Sequence, residues 1–336
     1  MSFVVIGENI HCTRIYKTDG KFVRPSDDGF VIKYTSNGQE KQLSIPERFV
    51  ESADWASGKV KHCAVAAWQG LYGDEQGKAE ARAYIEHLAL LQESSDASFL
   101  DVNVDEFSTN DDERIKVVQW MTGVVQDVSS LPLSIDSSNL SILKAGLEAC
   151  DIARGKPMVN SVSLERVEAI SMAAEFGAVV VASAAGESDL PSTTEERLAN
   201  LEKLMTMLEG VGIRGGDIYI DPLVFPVATD SNNAQSVLES VSALRKTYGD
   251  SVRITGGLSN VSFGMPNRKL INQVFTRMAV DVGLDSGIVD PLQINGKIIA
   301  ELDVDSESYK LAEALLSGED MFGMEYITAF RDGRLG

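Results

Sequence analysis

The side chains best suited to chemistry in this 336-residue chain are polar groups that close short apolar runs. Asp136, Asn160 and Asp221 each end such a run, and Asn260 follows another. A carboxylate accepts two parallel N–H bonds, and an amide both donates and accepts, so the set suits a neutral heterocycle with a mixed hydrogen-bonding edge. One Asp or Asn after a strand is often only a helix cap or a turn residue. Four of them on four separate runs favour ligand binding.

Other candidates lie at the ends of the same kind of run. Asp101 and Asn103 follow one run, and Gly256-Gly257 follow another, where the missing side chains let a flat ligand approach the backbone. His11 comes shortly after the first run and is a weaker candidate for the same pocket.

Several other chemistries are disfavoured by what the sequence contains. The formal net charge of −20 argues against nucleic acid or an anionic membrane surface as a partner. The three cysteines and three histidines form no CxxC, HxH or HExxH pattern, so we expect no metal site and no disulfide framework. No apolar run approaches the ~18 residues of a membrane-spanning helix, and a cytoplasmic location fits these features.

The elements that must position these side chains are eight short apolar runs, whose pattern predicts strands buried on both faces. The runs are Phe3–Gly7, Ala97–Val104, Leu131–Asp136, Pro157–Asn160, Ala178–Ser183, Asp217–Asp221, Val252–Thr255 and Ser286–Asp290. Helical patterns separate them, including Asp111–Val128, Thr193–Leu208 and Arg268–Val282. This alternation predicts a (β/α)8 TIM barrel, which places its chemistry at the carboxyl ends of the strands. A doubly wound open sheet is the alternative.

We interpret residues 1–336 as a single barrel domain with two additions. Residues 12–75 form an insertion after the first strand, with a hairpin of Phe30–Tyr34 and Gln42–Ile45 around Asn37-Gly38 and a helix over Val60–Leu71. Residues 305–336 form a closing helical layer.

Several segments resemble the pterin-binding barrel family. They are DIYIDPL at 217–223, GLSNVSF at 257–263, Asn267-Arg268, Ile271-Asn272 and LDSGIV at 284–289. The resemblance covers about residues 96–295 and Gly7-Glu8, and its most specific block is GLSNVS. The family includes methyltetrahydrofolate:corrinoid protein methyltransferases and the folate domain of cobalamin-dependent methionine synthase. Dihydropteroate synthase is a more distant member.

The resemblance implies a role for each matching position. The implied substrate-binding set is Asp101, Asn103, Asp136, Asn160, Asp221, Gly257, Ser259, Asn260 and Arg268. Within it, Asp136, Asn160 and Asp221 would hold the pterin edge. Asn260 would lie near N5, where the methyl group leaves, and Asn260 and Asp221 are the implied catalytic residues.

The implied reaction moves a methyl group between N5 of tetrahydrofolate and the cobalt of a corrinoid protein by nucleophilic displacement. Because a tertiary amine is a poor leaving group, N5 must gain a proton or a strong hydrogen bond. Tetrahydrofolate or 5-methyltetrahydrofolate is then the substrate, and the corrinoid is carried by a partner protein. A homodimer is the family expectation, and the sequence does not set the direction of transfer.

Two alternatives remain at this point. One is a pterin condensation of the dihydropteroate synthase type, and the other is a non-catalytic folate-binding subunit of a methyltransferase system. The last predicted strand carries no Arg or His, and residues 105–113 are strongly acidic, which disfavours a diphosphate substrate. The 12–75 insertion exceeds the compact version of the family and leaves the docking partner open.

Overall fold

The computed structural model describes residues 3–335. Its strands, in chain order, are β1 (Val4–His11), β2 (Ile15–Lys17), β3 (Val23–Ser26), β4 (Gly29–Ser36), β5 (Gln39–Ile45), β6 (Lys59–Lys61), β7 (Phe99–Asn103), β8 (Leu133–Asp136), β9 (Met158–Val162), β10 (Val179–Ser183), β11 (Ile218–Asp221), β12 (Arg253–Ile254) and β13 (Ser286–Val289).

The α-helices are α1 (Glu47–Val50), α2 (Ala53–Ala56), α3 (His62–Tyr72), α4 (Glu75–Glu93), α5 (Asp111–Val128), α6 (Leu140–Glu148), α7 (Glu168–Glu175), α8 (Thr194–Gly210), α9 (Asn233–Tyr248), α10 (Arg268–Asp281), α11 (Gly296–Ala300), α12 (Glu307–Leu316) and α13 (Met324–Arg331). Over residues 3–335, none of them is both long and apolar enough to cross a membrane.

The fold is a (β/α)8 barrel, as the sequence predicts. Eight strands form one sheet in the order β12-β11-β10-β9-β8-β7-β1-β13. A parallel bridge between Gly257 and Ile288 joins the two ends of this order. An open doubly wound sheet has two free edges, so this bridge rules out that alternative.

One compact unit comprises residues 3–7, 95–98 and 158–335 of the described chain. Within it, β9, β10, β11 and β12 are successive parallel neighbours, and β13 pairs in parallel with the first residues of β1. Every residue of β10, β11 and β13 is buried, which explains why these runs show no polar alternation. The predicted start of α8 is confirmed, because Thr193 and Glu196 form a capping box there.

The second compact unit comprises residues 8–94 and 99–157. Here β7 and β8 are parallel, with Asn103 aligned to Asp136 at their carboxyl ends. The predicted hairpin is confirmed as β4 and β5, which turn through Asn37 and Gly38, both at positive φ. The helix predicted over Asp111–Val128 is α5, and it begins after the capping side chain of Asn110.

Two local predictions need correction. The helix predicted over Val60–Leu71 is wrong at its start, because Lys59–Lys61 form β6 and pair antiparallel with β2. Because the two paired segments are short and far apart in the chain, the local sequence does not predict this strand. Strand β1 also extends beyond its predicted end at Gly7, so His11 is its last residue rather than part of a following loop. The assignment of one domain with an insertion at 12–75 stays a prediction.

The ion pairs of Asp285 should stabilise the strand arrangement at β12 and β13. Its buried carboxylate accepts a hydrogen bond from the Ile254 backbone N–H at 2.9 Å and pairs with Arg245 at 3.2 Å and Arg253 at 3.1 Å. We expect Asp285→Ala to lower the free energy of unfolding by roughly 2–4 kcal/mol, because it leaves these donors without their acceptor. Urea unfolding followed by circular dichroism measures the loss.

The matched control is Asp281→Ala, which removes an exposed ion pair with Arg277. This change should cost less than about 1 kcal/mol. Equal losses in the two variants would contradict a structural role for Asp285.

Candidate functional site

Two consecutive glycines after β12 make room for two of the predicted side chains. A Cβ atom on Gly256 would lie 3.2 Å from Oδ1 of Asp221, and one on Gly257 would lie 3.0 Å from Nδ2 of Asn260. Both distances are tighter than ordinary van der Waals contact. The structure therefore brings Asp221 and Asn260 to the same strand end, and these glycines accommodate protein side chains there. Direct ligand contact by Gly257 stays a prediction.

Asp221 is the last residue of β11, and its side chain is buried. Its Oδ1 accepts a hydrogen bond of 2.7 Å from the backbone N–H of Leu223. Burial raises the pKa of Asp221 to about 6, although the Leu223 hydrogen bond and the charge of Arg197 act in the opposite direction. A carboxyl group with this pKa changes its charge close to neutral pH.

Arg197 of α8 is a supporting residue that the sequence analysis missed. Its guanidinium is fully buried, with Nε donating to the Pro222 carbonyl at 2.8 Å and Nη1 donating to Ser236 Oγ at 2.7 Å. These bonds hold the turn that follows β11. A signal was present in the sequence, because Arg197 has helical spacing with apolar residues of the same buried face. Those residues are Leu201, Leu204 and Leu208.

Asn260 lies on a 3-10 turn, Leu258–Ser262, and is half-buried. Its side-chain amide has no hydrogen-bond partner in the described part of the chain. Arg268 holds the turn from the start of α10, donating from Nη2 to the Ser259 carbonyl at 2.8 Å and from Nε to Ser262 Oγ at 2.9 Å. The turn is thus fixed by its neighbours while the Asn260 amide is left available. Substrate binding by Ser259 and Arg268 stays a prediction.

Asn160 belongs to the same parallel set of strands. It is buried in β9, aligned with Val181 of β10, and Ser183 of β10 is aligned in turn with Asp221 of β11. Asn160 is the third of the five residues of β9, so the strand runs two residues past the end that the sequence analysis gave it.

A second polar cluster forms where β1, β7 and β8 end. Asn103 donates from Nδ2 to Oδ2 of Asp136 at 2.8 Å. Nε2 of His11 lies 2.7 Å from Oδ2 of Asp101, which is fully buried. The sequence analysis named Asp101, Asn103 and Asp136 for this site, and the structure brings all three together with His11.

The charges in this cluster shift two pKa values. Burial and the charge of Asp101 raise the pKa of Asp136 to about 7, while His11 and the Asn103 hydrogen bond work against this rise. Burial alone would lower the pKa of His11, but the hydrogen bond to Asp101 and the nearby carboxylates raise it above its usual 6.5. The raised pKa favours the protonated form of His11 in its pairing with Asp101.

Asp105 ties the loops after β7 and β8 together. Its carboxylate accepts hydrogen bonds from Ser137 Oγ at 2.5 Å and from the backbone N–H of Ser138 at 2.8 Å. Its own backbone N–H donates to Oδ1 of Asn103 at 3.0 Å. The first carboxylate of the acidic segment 105–113 therefore has a structural role in addition to its charge.

The same cluster contains the spacing that a metal ion would need. The ligand atoms of His11, Asp101 and Asp136 all lie within 4.8 Å of one another. However, His11 Nε2 and Asp101 Oδ2 already bond to each other, and Asp136 Oδ2 accepts from Asn103. In this structure the group is a hydrogen-bonding cluster, and the absence of a metal site stays a prediction.

Comparison with known proteins gives a consistent result. Residues 76–290 match a family described as pterin binding enzyme. A methylcorrinoid:tetrahydrofolate methyltransferase from Eubacterium limosum is 31% identical over 262 residues, which are 76% of this chain and 89% of that protein. A methionine synthase from Mycobacterium leprae is 33% identical over 212 residues, covering 59% of this chain but only 17% of that protein.

Among solved structures, a dihydropteroate synthase from Xanthomonas albilineans in complex with 7,8-dihydropteroate superimposes with a TM-score of 0.52. The match covers 68% of this chain and 86% of that one at 18% sequence identity, so it supports the fold alone.

The fold defines a (β/α)8 barrel protein with polar side chains clustered at its strand ends. The chain belongs to the pterin-binding enzyme family, since the family match covers more than half of it and a relative aligns over most of both lengths. The resemblance seen in the sequence is thereby confirmed.

The raised pKa of Asp221 makes a prediction about stability. Because the folded-state pKa of about 6 exceeds the ordinary value of 3.8, ionisation of this group costs free energy in the folded protein. Asp221→Asn keeps an acceptor for Leu223 and removes that cost. We expect the variant to be more stable than wild type by about 2–3 kcal/mol at pH 8, an advantage that shrinks between pH 6 and pH 4.

Urea unfolding at a series of pH values measures this difference. Asp281→Asn, at an exposed ion pair, serves as the control and should show little pH-dependent change. A loss of stability in Asp221→Asn at pH 8 would show that the ionised carboxylate stabilises the fold.

Proposed function

We propose that this protein is a methyltransferase that moves a methyl group between N5 of tetrahydrofolate and the cobalt of a corrinoid carried by a partner protein. The observation that carries the proposal is the match to a methylcorrinoid:tetrahydrofolate methyltransferase over 76% of this chain and 89% of that protein. The dihydropteroate synthase likeness supports only the fold, and it does not favour a condensation reaction here.

The properties of Asp221 support a role in pterin recognition. Its buried carboxyl has only one backbone donor among the described residues, the Leu223 N–H. Ionised carboxylates accept parallel N–H bonds of the kind that the edge of a pterin ring offers. Such donors would relieve the cost of holding this carboxylate away from water.

The environment of Asn260 supports its role near N5. The amide packs against Gly257, in a turn held by Arg268. An amide can donate through its NH2 group or accept through its oxygen, so it can follow the change of charge at N5 during the reaction. Its proposed contribution is to hold a hydrogen bond or a proton at N5 while the bond between N5 and the methyl group breaks or forms.

Asp136 and Asn103 are proposed to bind the pterin as well. Asn103 directs one oxygen of Asp136 through its 2.8 Å hydrogen bond, which fixes the plane of the carboxylate. Asp101 is proposed to support this arrangement without touching the ligand, since it is fully buried. Asn160 completes the proposed set with a further amide.

The partner's corrinoid supplies a cobalt centre that takes or gives the methyl group. The residues of this chain bind and orient the folate, and they serve transfer in either direction. A homodimer and a cytoplasmic location remain expectations from the family and from the sequence composition.

Asn260→Ala tests the chemistry. We expect a loss of turnover of about 100-fold or more with a change in folate affinity below about fivefold, because the hydrogen bond matters most as N5 changes charge. The assay mixes protein, methyltetrahydrofolate and cob(I)alamin without oxygen and follows formation of methylcobalamin by absorbance. Titration with methyltetrahydrofolate measures affinity separately.

Asn295→Ala is the matched control, since this Asn also follows a strand but caps helix α11. It should lose about 1 kcal/mol of stability and keep its turnover. Equal losses of turnover and affinity in Asn260→Ala would count against the role at N5. Folate binding without transfer, even with the corrinoid protein present, would favour a binding subunit.

A further inference from the structure

His11, Asp101 and Asp136 form a group, here called the His11 cluster, in which two carboxyl groups lie close together with little access to water. Asp101 is fully buried and Asp136 is partly buried, and their carboxylate oxygens belong to a group that spans 4.8 Å. Two carboxylates this close do not both ionise easily, because like charges in a poorly solvated site repel strongly. His11 is the one member of the group that can carry a positive charge, and it bonds directly to Asp101.

Two charged groups outside the cluster face it, one on β1 and one in the loop after β7. On β1, Glu8 faces His11, but its charge is countered by an ion pair with Arg14 at 2.7 Å. Asp105, after β7, faces Asp136, but its carboxylate is bonded to the loop after β8. The remaining balance is between the imidazole of His11 and the carboxylates of Asp101 and Asp136.

One oxygen of Asp136 is left available in this arrangement. Its Oδ2 accepts from Asn103, whereas Oδ1 has no hydrogen-bond partner among residues 3–335. An ionised Asp136 would therefore present a fixed, unused acceptor to an N–H group of a ligand.

We propose that His11 is a positioning residue for folate binding, which acts as an imidazolium bonded to Asp101 and so favours the ionised form of Asp136 that accepts pterin N–H groups. The inference rests on the proposed function, because a pterin is taken as the ligand. His11 itself need not touch the substrate. Its effect passes through charge, and charge can be tested separately from packing.

The first test observes the histidines directly in the folate-free protein. The chain has three histidines, so NMR titration of the imidazole signals is simple, and the spectrum of His11→Gln assigns the His11 signal. We expect His11 to titrate above pH 6.5, and Asp101→Asn to lower its midpoint by about one pH unit or more. An unchanged midpoint in Asp101→Asn would overturn the proposed ion pair, whatever the protein does with folate.

The second test measures methyltetrahydrofolate binding from about pH 5.5 to pH 8.5 by calorimetry. Gln can still donate a hydrogen bond to Asp101, so His11→Gln removes the charge while retaining a donor. The lost imidazolium should raise the pKa of Asp136, so binding should weaken roughly tenfold near pH 6.5 and recover toward pH 8.5.

A second substitution separates charge from structure. In His11→Gln/Asp101→Asn, the repelling carboxylate is removed as well, and binding near pH 6.5 should be stronger than in His11→Gln alone. A purely structural role predicts that the two losses add. His87→Gln is the control, since His87 packs against Tyr34 with ring centroids 4.9 Å apart and should leave the pH profile unchanged.

The outcomes separate this inference from the proposed function. Suppose that the wild-type protein transfers the methyl group and that His11→Gln loses the same folate affinity at every pH. This result would overturn the role of His11 and leave the proposed function intact. A pH-dependent loss that Asp101→Asn repairs would support the role of His11, even if wild-type protein bound folate without transferring a methyl group.

Discussion

Holding carboxyl groups away from water at the ends of strands is the constraint on which the rest of the site depends. A buried carboxylate without partners costs several kcal/mol, so each one must be matched by a donor, by a positive charge, or by protonation. Asp101 is matched by His11, and Asp136 by the Asn103 amide. Asp221 is matched by a backbone N–H and by the nearby charge of Arg197. These partners decide which carboxyl oxygens remain open to a ligand.

The barrel provides these partners from its backbone geometry and from its helices. The glycine pair after β12 lets Asp221 and Asn260 lie against the main chain at distances that any larger residue would disturb. Arg197 reaches the turn after β11 from the buried face of α8, and Arg268 reaches the Asn260 turn from the start of α10. The helices therefore do more than cover the sheet, because they hold the loops that carry the polar groups.

The sequence predicts which polar residues gather at strand ends better than it predicts their hydrogen bonds. The eight barrel strands follow from local apolar runs, since strands buried on both faces need no long-range information to be recognised, although β1 and β9 run past their predicted ends. The bonds of His11 to Asp101 and of Arg197 to Pro222 depend on elements far apart in the chain. For the same reason, the pairing of β2 with β6 across 41 intervening residues cannot be predicted from the local sequence of either segment. The sequence analysis expected the glycines to let a ligand approach the backbone. The structure shows that they also make room for the side chains of Asp221 and Asn260.

The raised pKa values of two carboxyl groups link ligand binding to the stability of the free protein. Asp136, with a pKa of about 7, and Asp221, with a pKa of about 6, are each near the point where they gain or lose a proton at neutral pH. A ligand that donates N–H groups favours the ionised form of each carboxyl, so binding it should be linked to proton release. Stronger permanent partners would lower these pKa values and stabilise the free protein, but they would also occupy the oxygens that a ligand needs. If these carboxyl groups bind the ligand as proposed, their incomplete pairing with protein donors is a requirement of binding, and it makes the free protein less stable at neutral pH.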